Sequence, residues 1–242
     1  MGTTDLSDDE IAPTEISESA GRSPLSPMNR DNLSDRAYQQ IREALLESRL
    51  VPGEKLRLRP LSERLGLSAT PVREALLRLV TEQALEIDSR GTICVPEYDR
   101  ERLIEIRDLR VELEGRAAAQ AADLANAQDI AALNGMHEAM MVAERSGDYS
   151  AALAANEQFH VHLTKVSNMP VLQRIVESLW LQCGPVLNHL YDDGPPQFSR
   201  HPHTIIIQGL EVGDPGMARG AITEDIIHGG LGLLYSPPAT RR

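Results

Sequence analysis

Histidine is the side chain best suited to metal ligation and to proton transfer near neutral pH. All seven histidines of this 242-residue sequence lie between His137 and His228. Asn156 and His160 are four residues apart, so on a helix they project from one face. Two residues turn a helix by about 200°, which sends His162 to the other side. His203 opens an apolar-periodic stretch that runs to Leu210, and Asp225 and His228 fall in the last such stretch. Imidazole, amide and carboxylate groups gathered inside a helical domain suit either a divalent cation or a small ligand carrying a carboxylate. Hydrolysis on such a metal is the alternative from another class, and it requires a positioned general base. Glu157 is the neighbouring acid but turns about 100° away from Asn156, and no His-Glu-x-x-His motif is present.

A second chemically marked stretch is Ser68-Ala-Thr-Pro-Val-Arg73. Ser68 and Thr70 bring hydroxyls beside the free N–H groups of a helix start, which is a phosphate-binding arrangement. Arg73 lies one turn on, where a guanidinium reaches guanine O6 and N7. Arg90 and Gly91 sit in a turn between two short β-rich runs, where a cation can enter a minor groove.

These groups need elements to hold them. A helix is expected from Ser34, with Tyr38, Ile41, Leu45 and Leu46 on one face, ending before Pro52-Gly53. A short second helix is expected from Pro60 to Leu65, stopped by Gly66, and a third from Pro71, capped by Ser68 or Thr70. Residues 85–87 and 92–95 then read as two strands around a glycine turn. Three helices followed by a hairpin is the order of a winged helix-turn-helix. From Asp99 the pattern is helical almost throughout. Breaks fall at 125–126, 146–148, 168–170, 192–202 and 213–215, which leaves six or seven helices in an all-α antiparallel bundle. The domains expected are an acidic disordered tail (1–32), the winged helix-turn-helix (33–96), a helical effector-binding and dimerisation domain (97–235) and a short tail (236–242).

Aromatic residues are only 3% of the chain, against 41% hydrophobic residues overall, which favours helices packed through aliphatic side chains. The net charge of −12 is unfavourable for a nucleic-acid partner, but it is unevenly spread. By count, residues 1–32 carry −5, residues 33–96 carry +1 and residues 97–242 carry −8. The middle segment alone escapes repulsion by a phosphate backbone. No apolar run is long enough for a membrane span and the N-terminus lacks a signal-peptide core. The two cysteines, Cys94 and Cys183, have no metal-site spacing, which fits a reducing, cytoplasmic setting.

The stretch Leu50–Leu56, followed by Leu61-Ser-Glu-Arg-Leu-Gly-Leu-Ser-Ala-Thr-Pro-Val-Arg-Glu-Ala-Leu76, resembles the DNA-binding domain of GntR-family transcriptional regulators. Leu109-Arg110-x-x-Leu113-Glu114 and Phe159-His160-x-x-Leu163 resemble the FCD effector domain of the branch named for fatty-acid regulators. The resemblance implies a homodimer that reads palindromic operator DNA and responds to an organic acid. Arg59 matches a family position that contacts DNA, joining Ser68, Thr70, Arg73, Arg90 and Gly91, while Ala69 stands where many relatives carry arginine. Many relatives hold a divalent metal with one aspartate and three histidines, and zinc, nickel or manganese could each take that place here. Those positions become Asn156, His160, His203 and Asp225, so two of the four differ, and His228 is a substitute one turn beyond Asp225. Arg110 occupies an inward-pointing motif position and is the candidate partner for the effector's carboxylate. Its alternative is an ion pair with Glu114. Ligand binding is expected to move the linker around Pro96–Arg107 and so the spacing of the recognition helices.

Overall fold

The computed structural model describes residues 33–192, 194–195, 198–230 and 234. The two expected tails, 1–32 and 236–242, lie outside the described residues. The fold is mainly helical: α1 (Leu33–Leu46), α2 (Leu58–Leu65), α3 (Ala69–Thr81), β1 (Glu86–Ile87), β2 (Ile93–Cys94), α4 (Arg100–Leu124), α5 (Ala127–Ser146), α6 (Tyr149–Val166), α7 (Pro170–Leu187), a 3₁₀ turn (Asn188–Tyr191), α8 (Pro202–Val212) and α9 (Pro215–Gly229). No helix among the described residues is long and apolar enough to cross a membrane.

The first three helices bury the faces that periodicity marks. Ile41 and Leu45 meet Val72, Leu76 and Leu79 in one apolar cluster, and burial of each large side chain contributes about 1.5–3 kcal/mol. Two helices begin earlier than expected. Leu58 opens α2, which places Pro60 at its third position, where a missing N–H still costs no helical bond. Ala69 opens α3, and Ser68 sits at its N-cap without donating or accepting a side-chain cap bond. The wing is antiparallel, pairing Glu86 with Cys94 and Ile87 with Ile93. Asp88 closes its tip by accepting from the N–H groups of Arg90 (2.9 Å) and Thr92 (2.8 Å), and Gly91 supplies the left-handed residue (φ 76°).

In the bundle, caps fall where the breaks are expected. Asp99 accepts from the N–H groups of Glu101 and Arg102, Asn126 and Asp129 form a reciprocal capping box, and Asp214 caps α9. Small residues set the helix spacing around the polar interior. Ala118, Ala121 and Ala122 of α4 are buried with Ala218, Ala221 and Ile222 of α9. A Cβ on Gly209 of α8 would lie 2.9 Å from the backbone N of Ala218 in α9. Only residues 95–99 separate β2 from α4, so most of the expected linker is helix and cannot act as a loose hinge.

Candidate functional site

Two sites stand out, one on the surface of the winged helix-turn-helix and one inside the bundle. On the first, Arg59, Ser68, Thr70, Arg73, Arg90 and Gly91 are all exposed. Ser68 leaves the start of α3 uncapped, so its N–H groups remain open to a phosphate. Arg73 and Gly91 line one groove between recognition helix and wing, together with Arg57, which the sequence motifs do not single out. Arg57 is separated by one residue from Lys55 and from Arg59, and that basic cluster is the signal that marks it. Arg59 is almost fully exposed and pairs with Glu63 at 3.3 Å, a contact that costs little to exchange for a phosphate. Ala69 is exposed beside Ser68 and Thr70 and offers no side-chain donor.

Inside the bundle, α4 and α6 carry a chain of charged groups out of water. Arg110 donates Nε–H to Glu114 Oε1 at 2.6 Å, and its guanidinium lies 3.8 Å from the ring centre of Trp180. Glu114 Oε2 meets His160 Nδ1 at 2.5 Å, and His160 Nε2 lies 3.0 Å from Asp225 Oδ2. His203 stacks on Phe159 at 3.7 Å and places Nε2 3.7 Å from Asp225 Oδ1. Glu114, His160 and His203 are at most 1% exposed.

Burial disfavours charge on every one of these groups, and the neighbours decide which keeps it. Burial would raise Glu114, but the Arg110 guanidinium and His160 hold its carboxyl below the usual range. Burial would lower His160, but Glu114 and Asp225 raise it to about 9. Asp225 is held well below the usual range against its burial, chiefly by His203 and His160. Burial drives His203 far below an ordinary imidazole, and the Asp225 carboxylate offsets only part of that.

His160, His203 and Asp225 place one ligand atom each within 4.8 Å of one another. The short His160–Asp225 approach is not aligned as a hydrogen bond, and both ring nitrogens of His203 are buried without one. Donors that converge without bonding each other are what a cation with bonds near 2.0–2.2 Å requires, since its ligands then stand roughly 3–4 Å apart. Glu114 would fix the tautomer by taking the Nδ1 proton, leaving Nε2 of His160 for the metal. Two imidazoles and a carboxylate suit zinc, nickel or manganese better than magnesium or calcium. The residues present therefore fit the group.

Asn156 lies one turn before His160 and lines a cavity with Asp225, Arg110, Glu144, Tyr191 and His201. His228 takes no part: it is half exposed and faces Glu224 on the surface at 3.8 Å. His162 lies near Asp129 and His189 pairs with Asp192, both away from the centre. His137 and His201 do gather there, and neither position is marked by spacing. His137 on α5 and His201 at the N-cap of α8 lie with their ring centres 5.5 and 4.6 Å from that of His203. Only the packing of α5 against α8 brings them in.

Comparison with known proteins matches residues 33–95 to the model for bacterial regulatory proteins of the gntR family and residues 105–228 to the FCD domain. The chain is similar to the HTH-type transcriptional regulator McbR of Escherichia coli strain K12, with 33% identity over 86% of this chain and 95% of that protein. The solved structure of E. coli McbR/YncC aligns with a TM-score of 0.77 over 86% of this chain and 98% of the other. The probable D-xylose utilization operon transcriptional repressor of Paenarthrobacter nicotinovorans is 27% identical over 82% of this chain and 88% of that protein. A regulator structure from Rhodococcus sp. RHA1, at 18% identity, shares the fold with a TM-score of 0.69 over 85% of this chain and 99% of the other.

Proposed function

The chain belongs to the GntR family of bacterial regulatory proteins and carries its FCD domain, and from that premise we propose how this DNA-binding transcriptional regulator senses its signal. It is a cytoplasmic homodimeric repressor whose hold on operator DNA is set by a small organic acid bound in the cavity of the bundle, next to a divalent cation on His160, His203 and Asp225. The observation that carries this reading is the buried chain Arg110–Glu114–His160–Asp225, which opens through Arg110 and Asp225 onto that cavity. The cation supplies positive charge that offsets Asp225, and neutral Asn156 adds none against an incoming carboxylate. Arg110 receives the carboxylate on the N–H groups that Glu114 leaves free. Two copies of the recognition helix match the two half-sites of a palindrome.

Operator titrations with candidate acids test this reading, using DNA fragments selected by the protein from a random pool. An acid that binds is expected to change operator affinity, and no change with every acid shown to bind would overturn it. Sedimentation of the chain as a monomer at operator-binding concentrations would remove the dimer. On the DNA side, Arg73→Ala is expected to cost about 1–3 kcal/mol of specific binding, roughly 5- to 150-fold. Arg57→Ala, tested beside it, should weaken specific and random DNA alike and flatten the salt dependence. Undiminished discrimination in Arg73→Ala would displace α3 from the major groove.

For the cation, a metal present at about 100 times its Kd adds about 2.7 kcal/mol of stability. At roughly 2–4 °C per kcal/mol for a chain of this size, chelation is expected to lower Tm by about 5–10 °C. Chelation should leave the Tm of a His160→Ala/His203→Ala variant unchanged. Equal metal content in that variant and the wild type would remove those two ligands.

A further inference from the structure

We propose that His137, His201 and His203 form a second, all-imidazole transition-metal position adjoining the one above and sharing His203 with it. The three rings come from α5, the N-cap of α8 and its second residue, and their ring centres lie 4.6–5.5 Å apart. One nitrogen of each falls within 4.8 Å of the other two. His203 is fully buried, and Nδ1 of His137 and both nitrogens of His203 are buried with no hydrogen-bond partner. Buried polar atoms are nearly always satisfied, and three such atoms in one cluster call for a ligand that takes lone pairs.

Three neutral nitrogen donors select zinc, nickel, cobalt or copper over magnesium, calcium or manganese. A three-imidazole set also leaves a coordination position open. His201 lines the cavity, so that position faces the space assigned to the acid.

The lone pairs limit occupancy. A neutral imidazole has one lone pair and one N–H, so His203 serves one cation at a time. The same holds for His201, whose Nδ1 accepts the cap bond from the His203 backbone N–H at 3.2 Å. A cation at the outer position replaces that single cap bond. The chain therefore takes up one cation, at either the inner position (His160, His203, Asp225) or the outer one. The outer assignment does not depend on the inner, and the two fail separately.

Chelator-stripped full-length protein titrated with Co²⁺, read by visible absorption and by metal retained after gel filtration, tests it. The His160→Gln/Asp225→Asn variant removes two inner ligands and is expected still to bind about one Co²⁺ per chain, with a spectrum changed by the all-nitrogen ligand set. Adding His137→Gln/His201→Gln to that background is expected to abolish binding. A folded His160→Gln/Asp225→Asn variant that takes up no Co²⁺ overturns the proposal, as does binding that survives the two further replacements. Should that variant not fold, Asp225→Asn alone serves. In it, His137→Gln/His201→Gln lowers Co²⁺ affinity about tenfold or more if the outer position exists, and unchanged affinity overturns it. A wild-type spectrum identical to that of His160→Gln/Asp225→Asn supports the outer position and overturns the inner one.

Discussion

In the metal-free protein, replacing Glu114 by alanine is expected to lower folding stability by about 3–5 kcal/mol, because it leaves two buried cations facing a void. Glu114 is 1% exposed, and each of its oxygens serves a different partner, Arg110 on its own helix and His160 on α6. Neither partner lies in bulk water, since Arg110 is 8% and His160 1% exposed. At roughly 2–4 °C per kcal/mol, Tm should fall by about 6–20 °C, and a loss below about 1 kcal/mol would mean that the charge chain is not formed. Glu114→Gln keeps one acceptor and the volume, so it should fall between. The pH dependence of the metal-free protein separates charge from packing. Glu114 is held below its ordinary value of 4.5, so its contribution is complete above that value and is lost as pH falls through the lower folded value. His160 is raised from 6.5 to about 9, so its contribution is complete below 6.5 and is lost as pH rises through about 9. The gap between wild type and Glu114→Ala should therefore be widest between about pH 4.5 and 6.5 and narrow on both sides. A gap constant from pH 4 to 9 would assign the loss to packing alone.

Much of this was legible from local patterns. The breaks at 125–126, 146–148, 168–170 and 213–215 depend on glycine, proline and capping side chains, which act over one turn, and they mark helix ends in the structure. Ser68, Arg73 and Gly91 are defined by their place within a single motif, and their exposure follows from it. The starts of α2 and α3 were less legible, because proline is tolerated throughout the first turn and so does not mark its first residue. In the bundle, the family resemblance points to Asn156, His160, His203 and Asp225. His137 and His201 have no such guide, since their approach to His203 depends on how α5 crosses α8. The ion pair of Arg110 with Glu114 is visible in their i, i+4 spacing. That Glu114 then reaches His160, 46 residues on, is a tertiary fact no spacing carries.

The contacts that join the cavity to α1 were also hidden, and under the proposed function they predict that Gly184→Ala weakens the response to ligand while leaving the ligand's own affinity in place. The helix α7 touches both the cavity and α1. Trp180 and Leu187 line the cavity, while Gly184 lies against the end of α1, where an added Cβ would stand 2.7 Å from the carbonyl oxygen of Leu45 and 3.1 Å from Cα of Leu46. Those are backbone atoms, so no side chain can swing aside. Ser48, held at φ 52°, donates its hydroxyl to the Gly184 carbonyl at 2.6 Å. Gln83, at φ 59°, accepts from Arg102 at 2.7 Å, and Arg102 also reaches Gln182 of α7 at 3.0 Å. Two of the three left-handed non-glycine residues among those described thus sit on this seam, and such strain is kept only where the surroundings hold it. Overpacking by a methyl group costs about 1–3 kcal/mol, and loss of the Ser48 bond about 0.5–1.5 kcal/mol more. Gly220→Ala is the control: its Cβ meets nothing within 4 Å, and it should stabilise α9 by about 0.5–1 kcal/mol. With ligand affinity measured by calorimetry and operator affinity with and without ligand, the expected pattern is near-normal binding and a smaller ligand-induced change in Gly184→Ala. A destabilised Gly184→Ala that keeps the full ligand-induced change would show that the contact between α7 and α1 holds the two parts together without carrying the signal.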